Sequence, residues 1–204
     1  MTKLAWRWIG CGAVCLVALG GVPAAAQETE MTAEQKAAMA AWTRAMTPGP
    51  EHRELAARAG KWSASVSMWE APGTPPQISQ GSCKRRMILG GRVMAEEWTG
   101  SMMGMPFEGF GTTGFDNASG SWWSTWSDNF GTGVMNAVGE CDPDPKKGCT
   151  FTASFVDPIS GKAKKSRSTV SWSSPDDELT RMYDVDAAGK EWQAMEIKLH
   201  RLRE

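Results

Sequence analysis

A single tyrosine and two histidines stand in a chain of 204 residues that carries 11 tryptophans. The side chains most used for proton transfer near neutral pH are therefore almost absent. A Ser–His or Cys–His couple has only His52 and His200 to draw on, and neither lies in sequence beside a candidate nucleophile. Five cysteines and the same two histidines show no zinc-ligand spacing. Excess charge of either sign is lacking too: 22 Lys+Arg against 23 Asp+Glu leave a formal net charge of −1, which argues against a nucleic-acid partner held by bulk charge. The expectation is a chain with no catalytic constellation, no metal and no cofactor, leaning away from enzymes.

Long apolar runs are scarce as well. The one candidate, Ile9 to Val22, follows Lys3 and Arg7, ends at Ala24-Ala25-Ala26 and is interrupted by glycines. It is too short and broken for the roughly 20 residues of a spanning helix, and reads as a secretory signal cut after Ala26, residues 1–26. Its removal leaves 20 basic against 23 acidic residues, a net −3, in a periplasmic or secreted chain without a membrane span. Of the cysteines that remain, Cys141 and Cys149 flank an Asp-Pro-Asp-Pro-Lys-Lys-Gly turn. They are the expected disulfide, while Cys83 packs as a small apolar residue.

What is abundant is Trp, Met and Gly, at 11, 13 and 22 residues. Residues 27–49 hold a capping box, Thr32-x-x-Gln35, ahead of a Met39, Trp42, Met46 stripe, which predicts a short amphipathic helix. Pro50 opens a second helix that Gly60 stops. Beyond it the period switches to two: Trp62, Ala64, Val66 and Met68 alternate with serines. Nine similar stretches follow, separated by turn signals such as Gly90-Gly91, Asn117-Ala-Ser-Gly120 and Ala187-Ala-Gly189. Residues 50–204 therefore form one mainly-β domain, a single antiparallel up-and-down barrel of about ten strands behind one or two short helices, with a two-sheet sandwich as the alternative.

The ordered motifs carry a family resemblance. Pro50-x-His52, Gly60-x-Trp62, Met68-Trp69, Leu89-Gly-Gly-Arg92, Gly104-Met-Pro-Phe-Glu-Gly109, Gly114-Phe-Asp-Asn117, Trp126-x-Asp128, Asp157-Pro158 and Met195-Glu-Ile197 with Arg201 resemble the bacterial family filed as domain of unknown function 1579, over roughly residues 48–202. The resemblance implies a lipocalin-like or calycin-like barrel, often exported, and brings no reaction with it. The family usually carries Tyr where this chain has Phe115 and Leu199, and an acid where it has Arg181, so roles resting on those groups do not transfer.

Within this frame Gly90, Gly91, Arg92, Asp116 and Asp128 read as structural: turn glycines, turn-capping carboxylates, and an arginine that anchors a loop by pairing with an acid. A paired-acid hydrolase or isomerase would need Glu97, Asp116, Asp128, Arg181 and Arg201 to converge on one cavity. The binding reading has more material. Met195, Ile197, Leu199 and Arg201 share one phase of the last strand, and Arg181 and Tyr183 a comparable phase before it. With Trp126 and Met68 they would line a cavity for a small apolar or amphipathic molecule. An assembly module using exposed Trp, the Met39 stripe covering a Trp-bearing outer wall, a mobile Met-rich loop from Gly100 to Phe107, and a haem-binding barrel are the other readings.

Overall fold

The structure, a computed structural model, describes residues 30–203 apart from 145, 146, 158, 159 and 187. The signal expected at 1–26 lies outside the described residues. Two helices, α1 (Ala33–Met46) and α2 (Pro50–Ala57), precede ten strands. These are β1 (Gly60–Met68), β2 (Gln77–Ile88), β3 (Val93–Met102), β4 (Met105–Asp116), β5 (Ser121–Asp128), β6 (Met135–Cys141), β7 (Cys149–Val156), β8 (Ala163–Ser174), β9 (Asp177–Val185) and β10 (Glu191–Leu202). Each strand pairs antiparallel with its neighbour in sequence, and β1 pairs with β10 to close the barrel, Lys61 opposite Leu202 and Met68 opposite Met195. Closure leaves no unpaired edge, which decides for the barrel over the sandwich.

Thr32 Oγ1 accepts from the Gln35 N–H at 3.2 Å and Gln35 Oε1 from the Thr32 N–H at 2.8 Å, the expected capping box of α1. The Met stripe does not cover the barrel, however: Met39 and Trp42 are 54% and 63% exposed, and α1 is held at its C-terminal end alone. There the Asn117 side chain donates to the carbonyls of Arg44 and Thr47, and Arg92 Nη2 to that of Met46 at 2.7 Å. Arg92 anchors a segment as expected, but through backbone carbonyls, those of Leu89 and Gly90 included, and not through an acid. Leu89, Gly90 and Gly91 take φ of 50°, 64° and 80°, a run of left-handed residues that only glycine-rich sequence tolerates.

Helix α2 plugs one end of the barrel, the floor. Leu55 is buried against Met94 and Trp122. His52 is buried too, its Nδ1 accepting from the Gly49 N–H at 3.0 Å and its ring meeting Phe115 edge-on, so it is a helix cap rather than a base. A second cluster, Trp62, Ala64, Cys83 and Leu199, fills the β1–β2–β10 side of the same end. The run from Gly100 to Phe107 is no loop: β3 and β4 extend through it to a tight hairpin at Met103 and Gly104, with φ of 51° and 76°. The disulfide joins Cys141 to Cys149 across the β6–β7 turn, at facing positions of the two strands.

Candidate functional site

Packing concentrates at the α2 end, so the rest of the interior stays open as a cavity of about 900 Å³ running to the opposite end, the mouth. Inward-facing rings make one continuous wall. Trp98 meets Trp126 edge-on at 6.0 Å, Trp126 stacks on Phe107 at 6.3 Å, and Phe107 touches Phe130 at 6.0 Å in the β5–β6 loop of the mouth. Glycines make room for the rings: a methyl on Gly109 would sit 2.6 Å from the Trp126 indole, and one on Gly111 3.1 Å from it. Across the barrel the lining is smaller and more polar, with Ser166, Ser168 and Thr180 among Met182, Met195 and Ile197.

The floor of the cavity is ionic. Arg85, on β2, is 5% exposed and donates from Nη1 and Nη2 to the two oxygens of Glu178 on β9, both at 2.8 Å, and from Nε to Glu96 Oε2 on β3 at 3.3 Å. Trp172 and Trp98 complete the shell, their indole N–H groups donating to Glu178 at 2.9 Å and Glu96 at 3.2 Å. Burial opposes the charge on Glu178, yet Arg85 and the hydrogen bonds prevail and hold its pKa below the usual carboxylate range. Arg85 faces the same desolvation, and Glu96 and Glu178 outweigh it and raise its pKa. Beside them Cys83 is buried with its Sγ 3.9 Å from Glu96, and burial pushes its pKa up, leaving an inert thiol. Arg58, at the end of α2, lies 3.5 Å from the Trp172 ring centroid.

The sequence candidates are only partly brought together. Trp126, Met195 and Asp128 line the cavity. Asp128 accepts from the Trp126 indole at 2.8 Å and from the Phe130 N–H at 3.0 Å, so it fixes a wall ring and caps the mouth turn at once. Asp116 caps the turn after β4 by accepting from Ala118 N–H and Ser119 Oγ. Met68 shares the inward phase of Trp62 but sits at the end of β1, off the cavity lining.

Arg201 has the expected inward phase and barrel-end position, but its guanidinium is spent on the carbonyls of Ala59 and Ala57 and on Asp176, clamping α2 to the floor. Arg181 and Tyr183 correct the phase assigned to β9. The register sets Thr180 opposite Ile197 and Met182 opposite Met195, so Glu178, Thr180 and Met182 face in. Arg181 pairs with Glu196 on the outer face, and Tyr183 carries Arg167 at 3.9 Å. Glu97 also points outward, to Arg86. The five groups a hydrolase would need therefore do not converge. Among the described residues no histidine lines the cavity, and His200 bonds Asp177 on the outside.

Arg58, Arg85 and Glu178 are not among the sequence candidates, and Glu96 belongs to the site as a partner of Arg85 and not as a paired acid. The signal was one charge on the inward phase of each of three strands: Arg85 with Cys83 and Met87, Glu96 with Met94 and Trp98, Glu178 with Thr180 and Met182. Charges standing in apolar phases at one barrel end are those that must meet.

Fold and site together define a closed ten-stranded antiparallel barrel, plugged by a helix at one end and hollow toward the other. The chain belongs to the family described as protein of unknown function DUF1579, whose model matches residues 47–201. The crystal structure of Rv2717c from M. tuberculosis is similar in fold, with a TM-score of 0.58 and 12% identity over 77% of this chain and 100% of that one. A redesigned β-barrel, b11L5F_LGL, gives a TM-score of 0.41 and 13% identity over 74% of this chain and 96% of its own. No curated protein matches the chain.

Proposed function

We propose that this protein binds a small apolar or amphipathic molecule inside its barrel, without chemical conversion, in an oxidising compartment outside the cytoplasm. The observation that carries the reading is the cavity: about 900 Å³, ring-walled along one side and open at the mouth, within the roughly 300–1,000 Å³ of small-molecule sites. Three of the four carboxylates that line it are engaged, Glu178 and Glu96 by Arg85 and Asp128 by Trp126, and the fourth, Glu54, stands exposed on α2. The Cys141–Cys149 bridge supports the compartment.

Native mass spectrometry and thermal shift with fatty acids, long-chain alcohols, isoprenoids and haem test it. Saturation at about 100 times Kd stabilises by about 2.7 kcal/mol, which for a domain of this size raises Tm by about 5–10 °C. A barrel that retains no molecule on purification and is shifted by none of the panel overturns the proposal.

A further inference from the structure

Among the described residues, the floor of the cavity contains one cation whose bonding capacity is unspent. All three nitrogens of the Arg85 guanidinium are engaged by Glu178 and Glu96, and the oxygens that hold them also accept from Trp172 and Trp98. The Trp62 indole donates to the Arg58 carbonyl at 3.1 Å, and Arg201 is taken up by α2 and Asp176. Arg58 is different. Arg58 lines the cavity with its Cζ over the Trp172 ring, and among the described residues it forms no ion pair and no side-chain hydrogen bond.

Glu178 and Glu54 attract it from beyond ion-pair range while Arg85 and Arg201 repel it, and desolvation is the largest influence on it. Glu178 cannot turn to Arg58 without breaking its two 2.8 Å bonds to Arg85 and stranding a buried charge, and Glu54, one turn back on α2, is exposed and forms no ion pair with it. A cation is thus held at the base of an apolar cavity with its planar fork of donors available.

We infer that Arg58 anchors the anionic head group of the ligand, a carboxylate, with the ligand's tail rising along Trp98, Trp126 and Phe107 toward Phe130 at the mouth. This rests on the binding function proposed above and names its ligand class. A carboxylate suits the site because it accepts two parallel N–H bonds from one guanidinium. It also supplies at contact distance the counter-charge that Glu178, committed to Arg85, and Glu54, exposed and beyond ion-pair range, do not. Trp172 fixes the plane of the fork by stacking, so a lysine in its place would keep the charge and lose the two-point geometry.

The test compares dodecanoate with dodecanol, ligands of equal chain length, by calorimetric titration of the purified protein at low salt, for wild type, Arg58→Lys and Arg58→Met. Wild type is expected to prefer dodecanoate at least tenfold. Arg58→Met should abolish that preference, and Arg58→Lys should retain part of it. Equal or tighter binding of dodecanol by wild type overturns the head-group assignment and leaves the binding function standing, as does a preference undiminished in Arg58→Met. Binding of neither ligand by folded wild type overturns the ligand class, and silence across the wider panel overturns the function itself. Should Arg58→Met fail to fold, the wild-type preference and its weakening in Arg58→Lys decide.

Discussion

Arg85 shows how much one side chain carries. It ties β2 to β3 and β9 across the barrel interior and lies 5.2 Å from the Trp62 ring centroid. Removing it leaves the buried Glu178 and the half-buried Glu96 without that counter-charge, so Arg85→Met is expected to cost about 3–5 kcal/mol in urea denaturation. Glu178→Gln tests the same network from the other side. The folded-state pKa of Glu178 is depressed, so its contribution is present above the unfolded value of about 4.3 and is lost as pH falls through the lower folded value.

Wild-type stability should accordingly fall below about pH 4.5, and Glu178→Gln should flatten that acid limb in denaturation curves run from pH 6 to 2. The flattening will be partial, because Glu196, Asp176 and Asp177 are depressed as well. An acid limb as steep as the wild type's in Glu178→Gln would show that the buried pair contributes no pH-dependent stability.

At the scale of elements, the strands and both helices were legible because each is an alternation or a cap written in adjacent residues. The phase of β9 was not. Its two faces, Leu179, Arg181, Tyr183 and Glu178, Thr180, Met182, are equally mixed, so hydrophobicity alone does not orient it and the register with β10 decides. The same limit hid the ionic floor, whose paired Arg85 and Glu178 are 93 residues apart. The fate of α1 was also illegible: its stripe looked like a packing face, and the structure uses the helix end instead.

Turn chemistry, being local, was readable, and the Cys141–Cys149 pairing followed from it. Closing so short a loop is worth about 2–3 kcal/mol in the chain-entropy picture. The Cys141→Ser/Cys149→Ser double variant should lose that much, and dithiothreitol should produce the same drop in wild type and none in the variant. Gly109→Ala is expected to cost about 1–3 kcal/mol, since its methyl would press on Trp126 at 2.6 Å. A Tm unchanged within error would mean that the indole yields freely.

For the whole molecule, the asymmetry between a packed floor and a hollow mouth follows from where the chain spends its bulk. Clusters around Leu55 and Trp62 seal the α2 end, while glycines and serines thin the wall above. The abundance of both tryptophan and glycine now has a common cause, because rings on one strand lie over glycines on the next: Trp126 over Gly109 and Gly111, Trp123 over Gly114, Phe151 over Gly139. Glycine does more here than mark turns. On the inner face, at Trp126 and Phe151, the pairing leaves space inside the barrel, while Trp123 over Gly114 packs on the outer face.

Closure by β1 and β10 also sets a schedule. The first strand made cannot be paired on both sides until the last has left the ribosome, and contacts such as Ser63 with His200 span 137 residues. Until then β1 exposes an open edge, the kind of surface on which chains associate, and folding dominated by such distant pairing is slow. Refolding from urea should take milliseconds to seconds or longer, and a chain truncated before Glu191 should aggregate rather than fold to an open nine-stranded sheet. The export proposed above would gain from this delay: a polypeptide that cannot close early stays threadable until its last strand has been delivered.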